Sequence, residues 1–293
     1  PTFEMIKCAT WNACSVLPKR LELIDFLNHE KIDLLAVTET HLKHNKTFFL
    51  PEHTVVRLDR PDQPKGGVLI AIRRTLAFKV LPLPNTHYIE AVGIEMLSAE
   101  GNFHFYAAYC PRQVSDTSGT SRLLKRDLQL LTRASRRFIV AGDLNARHQE
   151  WGNLRANRNG MILRELTQAS ACSVSFPFQP SFQNGNSYST IDIFISNITD
   201  RLDVPSTITA LSSDHLPVVM NIVCPGTHAT RQQRNYREAD WPRFERYITE
   251  NISSAPPLLT IEDINTAITN VESCMKEAVD RFVPLIQVRH KVT

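Results

Sequence analysis

The stretch FIVAGDLNARH, residues 138–148, carries an apolar run fit for a buried strand into Asp143 and Asn145, two short polar side chains one residue apart. Asp143 follows Gly142 and should emerge at a strand's C-terminal end, and Asn145 projects the same way if the chain stays extended. The same event recurs along the chain. MIKCAT runs into Trp11-Asn12, LLAV into Thr38-Glu39-Thr40-His41, and FHFYAAY into Tyr109-Cys110-Pro111. IDIFIS carries Asp192 at its start, and Asp214-His215 stand just before PVVMNIV. Polar residues at so many strand ends can converge on one sheet edge, where sites in layered α/β proteins form.

Their types suit one chemistry. Glu39, Asp143, Asp192 and Asp214 offer hard oxygen ligands, which favour Mg²⁺ or Mn²⁺ over zinc. His215 is the strong imidazole candidate of the set. A hard cation, several carboxylates, one His, two Asn (Asn12 and Asn145) and Tyr109 match phosphodiester hydrolysis. The cation offsets charge on a phosphorane-like transition state, a carboxylate orients and deprotonates water, and neutral donors hold the non-bridging oxygens. Each piece alone has a plainer reading. Asp before a strand is a common turn residue, Asn12 can be a turn, and Tyr109 can be an amphipathic core residue with its hydroxyl at the rim. Gly66-Gly67 reads as a turn into VLIAI, since no Gly-Lys-Ser/Thr follows to cradle a phosphate. Order and spacing together carry the catalytic reading.

The elements that must position these residues are mostly strands. MIKCAT, LLAV, GVLIAI, YIEAVGIEM, FHFYAAY, RFIVAG, IDIFIS and PVVMNIV are short apolar runs, several rich in β-branched and aromatic residues. Three helical segments lie among them. PKRLELIDFLNHEK opens on Pro18 and sets Leu21, Ile24 and Leu27 on one face; SRLLKRDLQLLTRA does so with Leu123, Leu124, Leu128 and Leu131; GMILRELTQA is the third. Many strands and few helices argue for an α+β domain of two packed mixed sheets with helices outside.

This domain should occupy residues 1–223. Residues 224–293 read as a linker entering a helix near Trp241, followed by a helical extension. Thr260 with Asp263 makes a capping-box signature for a helix reaching Phe282. Ile261, Ile264, Ile268, Val271, Met275, Val279 and Phe282 step by threes and fours as a packing face, directed at the main domain or at protein outside this sequence.

At 293 residues, with 42% apolar and 22% charged residues, the chain can build a full core. The formal charge of +3 permits an anionic partner without demanding one. Six scattered cysteines without a Cys-x-x-Cys pair fit free thiols in a reducing compartment. No run of 18 apolar residues and no secretory signal is present, and the missing initiator Met suggests a piece of a longer polypeptide.

The ordered set WN, TETH, YCPR, GDLNARH, STIDIF and SSDHLPV resembles the endonuclease/exonuclease/phosphatase superfamily, the DNase I and apurinic-endonuclease fold, over about residues 4–223. Within it, GDLNARHQEWGNLRANRNGMILREL and STIDIFISN look like the endonuclease domain of non-LTR (LINE-like) retrotransposons, especially Jockey-type elements. The tail with ADWPRFERY is similar to the segment leading toward the reverse transcriptase of such polyproteins. The resemblance implies a four-layered α/β sandwich. It also implies a Mg²⁺-dependent nick in double-stranded DNA, with Mn²⁺ as an alternative ion, that frees a 3′-hydroxyl to prime reverse transcription. A downstream reverse-transcriptase region would be the partner, and the site of action the nucleus, after synthesis in the cytoplasm. By position, Glu39 matches the principal metal ligand, with Asn12 beside it and Asp214 as a nearby carboxylate. Tyr109 and His215 match phosphate contacts, Asp143 the residue that orients or deprotonates water, Asn145 the oxyanion donor, and Asp192 the carboxylate that holds His215. Two departures stand out. Cys14 occupies a position where repair members often carry Asp, which puts a second metal in doubt. Arg112 replaces a small or polar residue, where it can contact phosphate or face solvent.

A nicking enzyme must also hold duplex backbone. Lys43, His44 and Lys46 follow TETH, and Arg147, His148, Arg155 and Arg158 follow GDLN. Of these and Arg112, the residues taken as substrate contacts are Arg112, Arg147, His148 and Lys43, each adding sequence-blind, salt-dependent affinity. Trp151 reads as core rather than as a groove wedge. Loops 112–121 and 179–189 flank the expected site. An apurinic-repair endonuclease or small-phosphoester phosphatase of the same fold is the alternative enzyme, and a non-catalytic DNA-binding relic the alternative from another class. Retention of a competent side chain at every motif position argues against the relic.

Overall fold

Side-chain alternation along the strands fixes the architecture, because both faces of each sheet have apolar rows to hide. The computed structural model describes residues 3–60, 65–98, 101–112, 118–225, 231–236, 238–252 and 260–288. Two compact units result, Pro1–Thr227 and His228–Thr293.

Strands are numbered in chain order. In the first sheet the spatial order is β13 (Ser206–Thr207), β14 (Val218–Pro225), β1 (Phe3–Asn12), β2 (Leu34–Thr38), β4 (Val68–Arg73) and β3 (His53–Leu58). In the second it is β5 (Phe78–Val80), β6 (Glu90–Met96), β7 (Phe103–Tyr109), β8 (Phe138–Asp143), β12 (Asp192–Ser196) and β9 (Ser173–Ser175). A small hairpin, β10 (Phe182–Asn184) with β11 (Ser187–Ser189), stands apart. Each large sheet has one parallel pair at its centre, β1 with β2 and β7 with β8, and antiparallel neighbours elsewhere.

Between the sheets, Ile6, Cys8, Leu34, Ala36 and Ile70 of one pack against Phe105, Ala107, Ile139, Ala141 and Phe194 of the other. The intervening residues face outward. Ala9, Trp11, Leu35, Val37 and Leu69 pack against α1 (Arg20–His29). Tyr106, Ala108, Val140, Ile193 and Ile195 pack against α2 (Ser118–Arg133) and α3 (Arg158–Ala169). The layers therefore run helix, sheet, sheet, helix, the four-layered sandwich that the resemblance implies. All eight strand runs picked from the sequence are strands.

The expected face of α1 needs correction. Leu21 is 75% exposed, while Leu23, Phe26 and Leu27 are buried. Leu23, Phe26 and Leu27 keep the i, i+3, i+4 spacing and bring the larger aromatic inward, so that stripe wins over the one through Leu21. α2 buries Leu124, Leu128 and Leu131 as expected, with Leu123 half-buried.

The second unit contains α4 (Trp241–Asn251), α5 (Ile261–Phe282) and an antiparallel hairpin of β15 (Arg231–Arg234) with β16 (Leu285–Val288). The capping box at Thr260–Asp263 is formed in both directions. The hairpin places a short strand in the segment read as a linker. It draws its second strand from beyond α5, a pairing that local sequence cannot reveal. On α5, Ile264, Ile268, Val271 and Met275 are 42–51% exposed, whereas Cys274 and Ala278 are buried. The expected packing stripe is thus uncovered over much of its length. Small residues let α4 approach instead, and Tyr247 of α4 meets Phe282 at 5.7 Å between ring centroids.

Candidate active site

The C-terminal ends of the two central parallel pairs meet on one rim. Asn12 and Thr38 end β1 and β2, and Tyr109 and Asp143 end β7 and β8. Asn12, 1% exposed, spans the gap: its Nδ2 donates to Glu39 Oε1 at 2.8 Å and to Asp143 Oδ2 at 2.9 Å. One amide thus holds a carboxylate from each sheet. Its own Oδ1 accepts the Cys14 N–H at 3.1 Å.

Beside this bridge lies a buried acid–imidazole pair. His215 Nδ1 is 2.8 Å from Asp192 Oδ2, which also accepts the Ser181 hydroxyl at 2.7 Å. The other ring nitrogen, Nε2, is 4.0 Å from Asp143 Oδ2, too far for a hydrogen bond and open to a substrate oxygen. The Trp11 indole N–H donates to the His215 carbonyl at 3.1 Å, and Ser213 Oγ donates to the Asn12 carbonyl at 2.8 Å while accepting the His215 N–H at 3.2 Å. Phe182 of β10 covers the imidazole with ring centroids 4.9 Å apart.

The protonation states follow from burial and from this surplus of carboxylates. Burial opposes a charged His215, but Asp192, then Asp143 and Asp214, outweigh it and raise the imidazole to about 9. Burial first and the nearby Asp192 second raise Asp143 to about 7, against the pull of His215 and the Asn12 amide. Burial, with Glu39 and Asp143 adding to it, keeps the Tyr109 phenol protonated as a donor to Glu39. Near neutrality, then, His215 is a cation with a free N–H, and Asp143 stands where it can accept a proton.

Local backbone is bent to reach this arrangement. Glu39, His41 and Asn145 all have positive φ, at 48°, 52° and 46°. For Glu39 and His41 this costs on the order of 1 kcal/mol each, a cost met by the His41 N–H to Gly66 carbonyl bond and by a 3.3 Å contact from His41 Nε2 to Glu39 Oε2. Gly142 lets β8 close on β7, since a Cβ there would lie 1.9 Å from the Ala108 carbonyl oxygen.

A divalent cation fits this donor set. Glu39 is 21% exposed at the side chain and has no Lys or Arg partner among the described residues, and the Asp192 Oδ1 oxygen is buried without a partner. Asp143, Asp192 and His215 offer atoms within 4.8 Å of one another, but a protonated His215 already bound by Asp192 is a poor ligand. Glu39 is the accessible oxygen donor, and the buried Asn12 amide oxygen lies beside it, accepting the Cys14 N–H.

Of the expected site residues, Asn12, Glu39, Tyr109, Asp143, Asn145, Asp192 and His215 gather here. Asn145 Nδ2 donates to the Cys110 carbonyl at 3.0 Å and lies 3.5 Å from Asp143 Oδ2, and its N–H donates to Asp143 Oδ1 at 2.9 Å. As held, it orients Asp143. Asp214 is exposed beside His215, with its Oδ1 3.4 Å from the Ser213 hydroxyl. Arg147 is half-buried near Asp143, and Arg112 and Lys43 are exposed. Loop 179–189 is described, and loop 112–121 lies partly outside the described residues.

His148 is a correction. It is 8% exposed, its Nδ1 accepts the Glu150 N–H at 3.1 Å, and its ring packs on Trp151 at 4.9 Å, so it caps a turn instead of facing DNA. Trp151 is core, with its indole N–H on the Ala146 carbonyl. The five described cysteines are free thiols. Sequence reasoning gave no role to Ser181, Ser213, Phe182 or Asn157. Only Asn157 carried a usable signal, an N-cap residue three positions before Gly160.

A family profile described as "Endonuclease-reverse transcriptase" matches residues 103–219. The RNA-directed DNA polymerase from mobile element jockey of Drosophila funebris is 29% identical over 97% of this chain, which spans 31% of that protein. The probable RNA-directed DNA polymerase from transposon BS of Drosophila melanogaster is 28% identical over 93% of the chain and 30% of its own length. The chain thus spans about a third of the curated relatives it matches. Among solved structures, the endonuclease domain of TRAS1, a telomere-specific non-LTR retrotransposon, superposes with a TM-score of 0.61 at 19% identity, covering 75% of this chain and 98% of that one. An AP endonuclease from Leishmania major superposes with a TM-score of 0.63 at 16% identity, covering 75% and 88%. Fold and relatives point the same way: the chain has the fold of the AP endonuclease and of the TRAS1 endonuclease domain, and it is similar to the polymerase polyproteins of jockey-like mobile elements, with the endonuclease-reverse transcriptase profile matching residues 103–219.

Proposed function

We infer that this chain hydrolyses a phosphodiester bond in double-stranded DNA with Mg²⁺, and that the nick leaves a 3′-hydroxyl on which a polymerase region of the same polyprotein starts synthesis. The observation that carries the reading is the Asn12 amide shared by Glu39 and Asp143, set beside the Asp192–His215 pair. Glu39 and Asn12 would hold the ion, with Asp214 near by. When bound it supplies positive charge against the negative charge that develops on the phosphate.

The chain's own groups do the rest. Asp143, once ionised, takes the proton of the attacking water, oriented by the Asn145 N–H and the Asn12 amide. Asp192 keeps His215 charged and aimed, so that Nε2–H donates to a phosphate oxygen as charge grows there. The Tyr109 hydroxyl stays protonated and donates from the second sheet. Water adds to phosphorus, the bond to O3′ breaks, and the departing O3′ takes a proton from solvent, giving a 3′-hydroxyl and a 5′-phosphate. Action on chromosomal DNA would place the protein in the nucleus. The family's AP endonucleases share the fold, so substrate decides between the readings. Supercoiled plasmid without lesions, nicked in Mg²⁺ to ends that a polymerase extends without prior phosphatase treatment, supports this function. Cleavage confined to abasic DNA contradicts it.

A further inference from the structure

Arg147 stands two residues past Asn145, on a loop whose backbone is clasped by one side chain. Asn157, the N-cap of α3, accepts the Arg147 N–H at Oδ1 (2.9 Å) and donates its own N–H to the Arg147 carbonyl (3.0 Å). Its Nδ2 donates to the Asn145 carbonyl (2.8 Å), and the same Oδ1 caps the Gly160 N–H (2.9 Å). The loop lies so close to α3 that a Cβ on Gly160 would sit 1.8 Å from the Arg147 carbonyl oxygen. The loop carrying Asn145 and Arg147 is therefore fixed to a helix.

Arg112 leaves the end of the neighbouring strand. The Cys110 N–H donates to the Asp143 carbonyl (2.9 Å) and Asn145 Nδ2 donates to the Cys110 carbonyl (3.0 Å), so the two chains run out of the sheet side by side. Burial disfavours the charge on Arg147, and Arg112 adds like-charge repulsion, with Asp143 opposing both. Neither guanidinium has a carboxylate within ion-pair distance among the described residues, and the nearby Glu150 is engaged by Arg164. Two guanidinium groups close enough to repel one another, one of them half-buried and neither with a carboxylate partner among the described residues, make an anion site, and the planar fork suits phosphate.

We propose that Arg147 and Arg112 clamp a second DNA backbone phosphate, one that is not cut, and that Asn157 is the positioning residue that fixes the clamp relative to Asp143. This rests on the nuclease reading above. The clamp sets where along the backbone the scissile bond falls, independently of base sequence.

The test uses a duplex with one mapped nick site and a series of oligonucleotides, each with a single neutral methylphosphonate at a successive linkage. At one uncut linkage, neutralisation slows the wild-type chain about tenfold or more, the scale of a lost charge-assisted contact. The Arg147→Ala variant is slow on unmodified DNA by a similar factor and loses nothing further at that linkage. Asn157→Asp keeps the Oδ acceptor for the Arg147 and Gly160 N–H groups but loses the Nδ2 donor to the Asn145 carbonyl, so it retains more sensitivity at that linkage than Asn157→Ala. Asn157→Ala loses it while still melting cooperatively. If Arg147→Ala and wild type lose equally at every linkage, the clamp is overturned and the nuclease reading stands. If wild type does not nick the unmodified duplex, both fall.

Discussion

Asp192 and His215 form an enclosed ion pair, with Nδ1 and Oδ2 2.8 Å apart and the carboxylate side chain fully buried. Breaking it by Asp192→Asn removes the charge that holds the imidazole near 9 and leaves burial to push it down. The His215 titration, followed by NMR, should fall by more than one unit in that variant, and nicking should drop at least tenfold. An unchanged titration would show that Asp192 is not what charges His215.

Asp143 Oδ2 and His215 Nε2 stand 4.0 Å apart at the rim. Asp143→Ala and His215→Ala should each lower nicking by more than about a hundredfold, as expected for one positioned proton acceptor or transition-state donor. Both variants should keep a cooperative melt. Wild-type rates in either folded variant would remove that residue from the mechanism.

Metal-free protein should grow less stable as pH rises. Asp143 has its pKa raised from 3.8 to about 7, so the stability linked to its proton is complete below the unfolded value and is lost as pH climbs through about 7. His215 is raised from 6.5 to about 9, and its contribution is lost between those values. In EDTA, the melting midpoint should decline from about pH 4 to about pH 9, and Asp143→Asn should flatten the lower half of that decline. A wild-type midpoint that rises across the window, or a variant with an unaltered slope, would contradict these assignments.

Asp127 on α2 is fully buried, and its Oδ2 accepts the N–H groups of His87, Tyr88 and Ile89 at 2.9, 2.6 and 2.9 Å. Asp127→Ala leaves three donors of this turn without their acceptor and should cost about 3 kcal/mol or more in urea unfolding of the first unit. A loss below about 1 kcal/mol would mean that the turn finds other acceptors.

The strands that carry the site were legible because each is a long apolar run broken by an unexpected polar residue, as in the passage from Ala141 to Asp143. The short strands were not. β5, β9, β10, β11 and β13 have two or three residues each, too few to show a period, and β3 is an edge strand whose half-buried Arg57 blurs its alternation. Nearness in sequence also misled. His148 follows the GDLNAR motif closely, but the positive φ at Asn145 turns the chain, so His148 packs on Trp151 instead of facing the rim. Ser181, which braces Asp192, occupies ordinary loop sequence, and Ser213, although it lies within SSDHLPV, braces His215 through a pairing that only the tertiary structure reveals. In the second unit, helix period predicted α5 and its cap, but no local pattern could show that Leu285–Val288 turns back to pair with Arg231–Arg234.

The central claim is that side chains from both sheets assemble one cation-dependent phosphodiesterase centre. Conversion of supercoiled plasmid to the relaxed form tests it most directly, with Mg²⁺, with EDTA, and with Mg²⁺ restored after EDTA, for wild type and Glu39→Ala. Relaxed circles that form only when the ion is present, at a rate that Glu39→Ala cuts at least tenfold, are the predicted result. Relaxation that persists in EDTA, or that survives loss of Glu39 undiminished, would contradict it.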